Sequence, residues 1–227
     1  MSSRLFSTFI FFDTETSGLP IGGFHPRITE LSLLAIERSN LIDELHTCPF
    51  KNKLSICFNP MMPIQSQAKD FDDNALQLIT CFLHHLTPPI CIVAHNGYNF
   101  DFPLLKSELT RANGYSSKLS DRNGDAIFCS DSLHLFRDFD YFLVSPDDKG
   151  LAKSNIYERV FCKSLDTGHT AEGDCMAMIK IVRFLGEPAL FWFDVNCKSL
   201  ADIPLMYEIN NADPKSLPAN LFPHELD

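Results

Sequence analysis

The chain has 227 residues, 45% of them hydrophobic and 11% aromatic, with a mean hydropathy of −0.03. This composition excludes an intrinsically disordered chain, and the longest apolar runs, Phe9 to Phe12 and Ile90 to Ala94, fall far short of the roughly 20 residues that cross a bilayer. A net charge of −10 excludes a broad basic surface along which nucleic acid would lie, while leaving room for a protein that grips only a strand end.

In chain order, Thr8 to Thr14 is an apolar, β-leaning run that turns polar at Asp13 and breaks at Ser17, Gly18 and Pro20, as a buried strand ending in a loop does. Nothing before it reads as a secretory leader, so the chain is expected in the cytoplasm or nucleus. Ile28 to Arg38 and Lys53 to Phe58 read as two further strands, close enough to form a meander with the first. Phe71 to Leu86 has helical periodicity, with Asp72 and Asp73 suited to its N-terminus and Pro88 and Pro89 ending it. Ile90 to Ala94, reached through that helix, reads as a strand parallel to the first. The loop His95-Asn96-Gly97 follows, then a helix from Leu104 to Ala112 with Pro103 at its first position. Ala126 to Ser130 reads as a fifth strand, Ser154 to Phe161 as a short helix, Thr170 to Leu185 as a long one capped by Thr170, and Glu187 to Val195 as further helix. Asp138 to Ser154 reads as a loop.

This order predicts one α/β domain over residues 1–227, with a mixed five-stranded sheet whose strand C-terminal ends carry the ligand site. Twenty Phe predict a core of large rings. Eight Cys stand singly in apolar segments and read as small buried hydrophobes, and the adjacent His84 and His85 point about 100° apart on a helix, too far to share an ion.

Alternation on a strand puts Asp13 and Glu15 on one face, where two carboxylates can share a cation; alone, the pair reads equally well as two solvated acids at a strand end. Asp101 closes the loop after the parallel strand and can face the same edge, or simply start a helix. In His169-Thr170-Ala171-Glu172-Gly173-Asp174, an imidazole and a fourth carboxylate flank the start of the last long helix.

The order D-x-E, then H-N-G-x-x-F-D, then H-T-A-E-G-D resembles the DEDDh exonucleases, and within them the three-prime repair exonuclease family. Similar stretches run from Phe11 to Pro20, through Thr29-Glu30-Leu31, Phe71 to Asn74, Val93 to Leu105, Asp131-Ser132 and Ile156-Tyr157, to Pro204-Leu205-Met206-Tyr207. The resemblance implies an RNase H-like sheet and a 3′→5′ exonuclease that releases nucleoside 5′-monophosphates from DNA 3′ ends, preferring single-stranded or frayed ones. It implies Asp13, Glu15, Asp101 and Asp174 as ligands of two Mg²⁺ or Mn²⁺ ions and His169 as general base. It further implies that Leu19 and Pro20 flank the terminal nucleotide, that Thr14, His95, Asn96 and Phe100 line the substrate, and that two chains pair through the edge strand 54–58.

The chain also departs from the family pattern. Phe100 stands where Tyr is common, the segment from Phe58 to Asp70 is shorter and lacks an I-T-G-L stretch, and the loop around Asp147-Asp148-Lys149 has no Arg cluster. Lys106, Arg111, Lys118, Arg122, Lys149 and Lys153 are scattered bases available to phosphates, most of them reading as ordinary solvated charges. Phe191, Trp192 and Phe193 read as core rather than as a stacking platform. Two alternatives remain open: an exonuclease on RNA or short oligonucleotides, and a catalytically weakened nucleic-acid-binding scaffold.

Overall fold

The computed structural model describes residues 4–43, 52–58, 71–113, 119–139, 152–164 and 170–207. Strand β1 (Thr8–Thr16) runs through the middle of a mixed sheet. On one side β2 (Ile28–Glu37) and then β3 (Asn52–Cys57) follow antiparallel, the expected meander. On the other side β4 (Ile90–Ala94) is parallel to β1, and β5 (Phe128–Asp131) is parallel to β4. The two-residue β6 (Lys198–Ser199) pairs antiparallel with β5, so the order is β3-β2-β1-β4-β5-β6, six strands rather than five. Two residues hold no alternation to read, which is why β6 leaves no trace in the sequence.

The described helices are α1 (Arg38–Ile42), α2 (Asp73–His85), α3 (Asp101–Asn113), α4 (Ser132–Asp138), α5 (Lys153–Phe161), α6 (Ala171–Leu185) and α7 (Glu187–Val195). Alternation along β1 sorts them into two layers. Ile10 and Phe12 pack with Leu83, Phe102, Leu105 and Leu109 of α2 and α3, while Phe9 and Phe11 pack with Ile156, Met178, Ile179, Val182 and Phe193 of α5, α6 and α7. Both faces of β1 are therefore apolar, which is why the strand reads as a continuous run. The large-ring core is present: Phe9, Phe11, Phe12, Phe102 and Phe193 are fully buried, each stabilising by about 1.5–3 kcal/mol.

Asp72 caps α2 by accepting from the Asn74 and Ala75 amides, and Thr170 caps α6 by accepting from Gly173. Helix α3 begins at Asp101, not Leu104, so Pro103 is its third residue rather than its first. Proline is tolerated there because first-turn amides have no intrahelical acceptor to lose. Of the three aromatics at the end of α7, Phe193 is buried in the core and Trp192 packs against it while its indole donates to Asp138 Oδ2, whereas Phe191 is 63% exposed. The Glu108 carboxylate, buried on α3, accepts from Arg27, Arg111 and the Tyr207 hydroxyl at 2.7, 2.7 and 2.9 Å, and Tyr207 stacks on His25. Lys106 donates to the carbonyls of Ala201 and Ile203, so it and Arg111 tie the chain to itself and are not spare phosphate ligands. No described helix is long and apolar enough to cross a membrane.

Candidate active site

At the end of β1 the pleat sends Asp13 toward the α5–α6 layer, on the same side as Phe9 and Phe11, and Thr14 toward the start of α3. Asp13 is buried. Asp101, the first residue of α3, is buried too and accepts from the Thr14 hydroxyl at 2.7 Å. Asp101 thus meets the end of β1 through Thr14, and its charge also acts on Asp13. Asp174 lies in the first turn of α6, where a carboxylate suits the helix dipole.

The loop between β4 and α3 explains the residues of H-N-G-x-x-F-D. Asn96 takes a left-handed conformation (φ 59°), which Asn tolerates better than most residues. A Cβ on Gly97 would stand 2.6 Å from Ala94 Cβ and 2.7 Å from the Phe102 ring. The Asp131 carboxylate at the end of β5 accepts from the amides of Asn96, Tyr98 and Leu133, binding this loop to the start of α4. Asp131 is a positioning residue that spacing alone does not reveal.

The side chain that joins the acids is Lys153, the first residue of α5. Its ammonium lies 2.5 Å from Asp13 Oδ1 and 3.0 Å from Asp174 Oδ2, and its side chain is 13% exposed. Sequence reasoning places Lys153 among the scattered bases; the structure puts it between Asp13 and Asp174. Burial pushes the Asp13 carboxyl well up, with Asp101 and Asp174 adding to the rise and Lys153 opposing it. Burial raises Asp101 to about 6 against the Thr14 hydrogen bond and the Lys153 charge. Burial acts to lower the Lys153 ammonium, but Asp13 and Asp174 outweigh it and hold it above the ordinary range. Two buried acids, Asp13 and Asp101, with the partly exposed Asp174 beside them, therefore make a site that favours a balancing cation.

The other expected site residues are placed less centrally. Glu15 is half-buried near the end of β1. Leu19 and Pro20 are exposed on the following loop, Leu19 at 60%. His95 Nδ1 lies 3.1 Å from Ser132 Oγ, and the Asn96 side-chain oxygen accepts from Asn99. Phe100 is half-buried against the α2–α3 layer. His169 lies outside the described residues, as do Lys118, Lys149 and all of the shortened segment except Phe58.

No protein-family model matches the chain. Three-prime repair exonuclease 1 of Homo sapiens is 34% identical over 232 residues, a match covering 89% of this chain and 71% of that protein. The chain belongs to the three-prime repair exonuclease family. Three prime repair exonuclease 2 of Homo sapiens is 30% identical, with 88% and 92% covered. Among solved structures, E. coli exonuclease I in complex with a dA16 oligonucleotide superposes with a TM-score of 0.60 at 18% identity, over 82% of this chain and 42% of that one. Cell-death related nuclease 4 does so at 0.59 and 11% identity, over 86% and 66%. At these identities the likeness is one of fold, an RNase H-like sheet, and the chain spans about two fifths of the exonuclease I chains it matches.

Among the described residues no three His, Cys, Asp or Glu side chains stand close enough together to hold a metal ion as they lie, and the Lys153 ammonium stands between two of the aspartates, Asp13 and Asp174. The donor set nonetheless fits one. It consists of carboxylate oxygens, which suit Mg²⁺ and Mn²⁺, and it already holds a cation, the lysine ammonium, at its centre. In this three-prime repair exonuclease family member, Asp13, Asp101 and Asp174, with Glu15 two residues after Asp13 on β1, are the carboxylates that could hold such ions.

Proposed function

We propose that the chain is a metal-dependent 3′→5′ exonuclease that removes nucleoside 5′-monophosphates from DNA 3′ ends, with residues 1–227 forming one exonuclease domain. Exonuclease action on DNA 3′ ends follows from family membership. The observation that carries the finer reading is the pairing of Asp13 and Asp174 with one ammonium at the C-terminal edge of the parallel strands, with Asp101, held by Thr14, close enough for its charge to raise the Asp13 carboxyl.

Asp13, Glu15, Asp101 and Asp174 are assigned to two Mg²⁺ or Mn²⁺ ions, which when bound would lower the pKa of the attacking water and offset charge on the departing 3′ oxygen. Thr14 fixes the Asp101 carboxylate through its hydroxyl, and Asp131 fixes the loop from which α3 starts. His169 is assigned as general base, since an imidazole titrates near working pH. The exposed Leu19 and Pro20 offer an apolar surface to the terminal base, while His95, Asn96 and Phe100 border the strand end. A strand end needs few phosphate contacts, so the acidic net charge is compatible with single-stranded or frayed ends. Strand β3 lies at the sheet edge and is assigned as the homodimer contact.

Digestion of a 5′-labelled oligonucleotide with Mg²⁺ tests this reading. Stepwise shortening from the 3′ end is expected, abolished by EDTA, by Asp13→Asn and by His169→Ala. Shortening that survives these controls, or none at all, sinks the mechanism. An RNA oligomer of the same sequence, digested faster than the DNA, would move the substrate to RNA.

A further inference from the structure

Lys153 has no place in the chemistry just assigned, yet it occupies the centre of the site. Two features of the chain set it apart from the other lysines. Its ammonium takes Asp13 Oδ1 and Asp174 Oδ2, oxygens on two of the four carboxylates assigned to divalent cations. It also sits at the first position of α5, a helix with no acid in its first turn and no side-chain cap, where the helix dipole disfavours a cation. The carboxylates, not the helix, hold the ammonium there.

A divalent cation binds carboxylate oxygens at roughly 2.0–2.2 Å and uses the lone pairs to which an ammonium donates. Asp13 is buried, with few open directions from which to serve both at once. Two positive charges held by the same oxygens in a desolvated pocket repel strongly. We propose that Lys153 is a tethered competitor for the divalent cation, an internal ammonium that must leave Asp13 and Asp174 before the cation seats. Lysine suits this exchange better than arginine would. It carries a compact charge on a flexible four-carbon stem that can swing clear, whereas a guanidinium fork would lock onto the carboxylates. Cation binding then becomes an exchange, which keeps the acids balanced at low cation concentration and sets a threshold for loading. The inference rests on the metal role proposed above.

The test is calorimetric titration of Mn²⁺ into the full chain at pH 8 without DNA. Lys153→Met keeps the stem and removes the charge, and it is expected to bind Mn²⁺ about tenfold more tightly than the wild type, or better. Lys153→Arg keeps a competitor and is expected to bind no more tightly than the wild type. Equal or weaker binding by Lys153→Met overturns the proposal. Should that variant not fold without metal, the wild type labelled at lysine ¹³Cε decides. The Lys153 resonance, identified by its absence from Lys153→Arg, is expected to move to the position of solvated lysines at saturating Mg²⁺; a resonance that stays put overturns the proposal. A wild type that binds Mn²⁺ and digests 3′ ends while Lys153→Met gains no affinity refutes the competitor alone. Absence of Mn²⁺ binding in every variant refutes the metal role with it.

Discussion

At the scale of single residues, Asp101 shows how the site trades stability for charge. Its carboxyl is held near 6 in the fold against 3.8 for an unperturbed aspartate, so between those values the native state binds more protons than the unfolded one. Stability from this residue is therefore present below about pH 4 and falls as pH rises through 6. Asp101→Asn keeps the oxygen that accepts from Thr14 and removes the buried charge. It is expected to raise stability by roughly 2–3 kcal/mol at pH 8 in thermal melts while abolishing digestion. For the wild type, calorimetric Mn²⁺ affinity should weaken as pH falls below about 6, because the ligand form of Asp101 is the ionised one. Gly97→Ala acts through shape. The collision with Ala94 and Phe102 should cost about 1–3 kcal/mol, and it should slow digestion by moving the loop that leads to Asp101. The acids were legible from D-x-E and the two longer motifs because strand alternation and helix starts fix where short side chains point. Lys153 was not, because a four-carbon stem reaches a site whose position only the packing of α5 against the sheet determines.

At the scale of elements, long segments could be read and short ones could not. Strand β4 and helix α7 were expected with the ends they have, and β1, β2, α2 and α6 were found within a few residues, since these segments are long enough to show a burial period or carry a recognisable cap. Helices α1 and α4 and strand β6 span too few residues for periodicity to register, and α3 starts earlier because proline is as acceptable at its third position as at its first. Strand β3 carries a prediction of its own. Leu54 and Ile56 turn toward the core, whereas Ser55 and Cys57 are exposed at the edge of the sheet. Ser55→Asp combined with Cys57→Asp would set like charges against each other across a paired edge. Light scattering coupled to size-exclusion chromatography should show a dimer for the wild type and a monomer for the double variant. A wild-type monomer would remove the edge contact from the proposed function.

At the scale of the whole molecule, Glu108 links parts that the sequence keeps far apart: the loop ending at Arg27, helix α3 and the segment at Tyr207. Glu108→Gln leaves two buried-side guanidinium groups short of a counter-charge and should cost about 3–5 kcal/mol in denaturant unfolding. It should also raise KM for DNA more than it lowers kcat, because Leu19 and Pro20 lie on the loop that Arg27 anchors. The same long reach governs when the site comes into being. Thr14 and Asp101 are 87 residues apart, and Asp13 and Lys153 are 140 apart. Contacts of such separation close late, since the chain must first surrender the entropy of the intervening loops. A nascent or refolding chain is thus expected to display the β1 carboxylates before α5 and α6 dock behind them. During that interval the acids are not yet assembled, and on the proposed mechanism such a chain is expected to leave nucleic acid uncut.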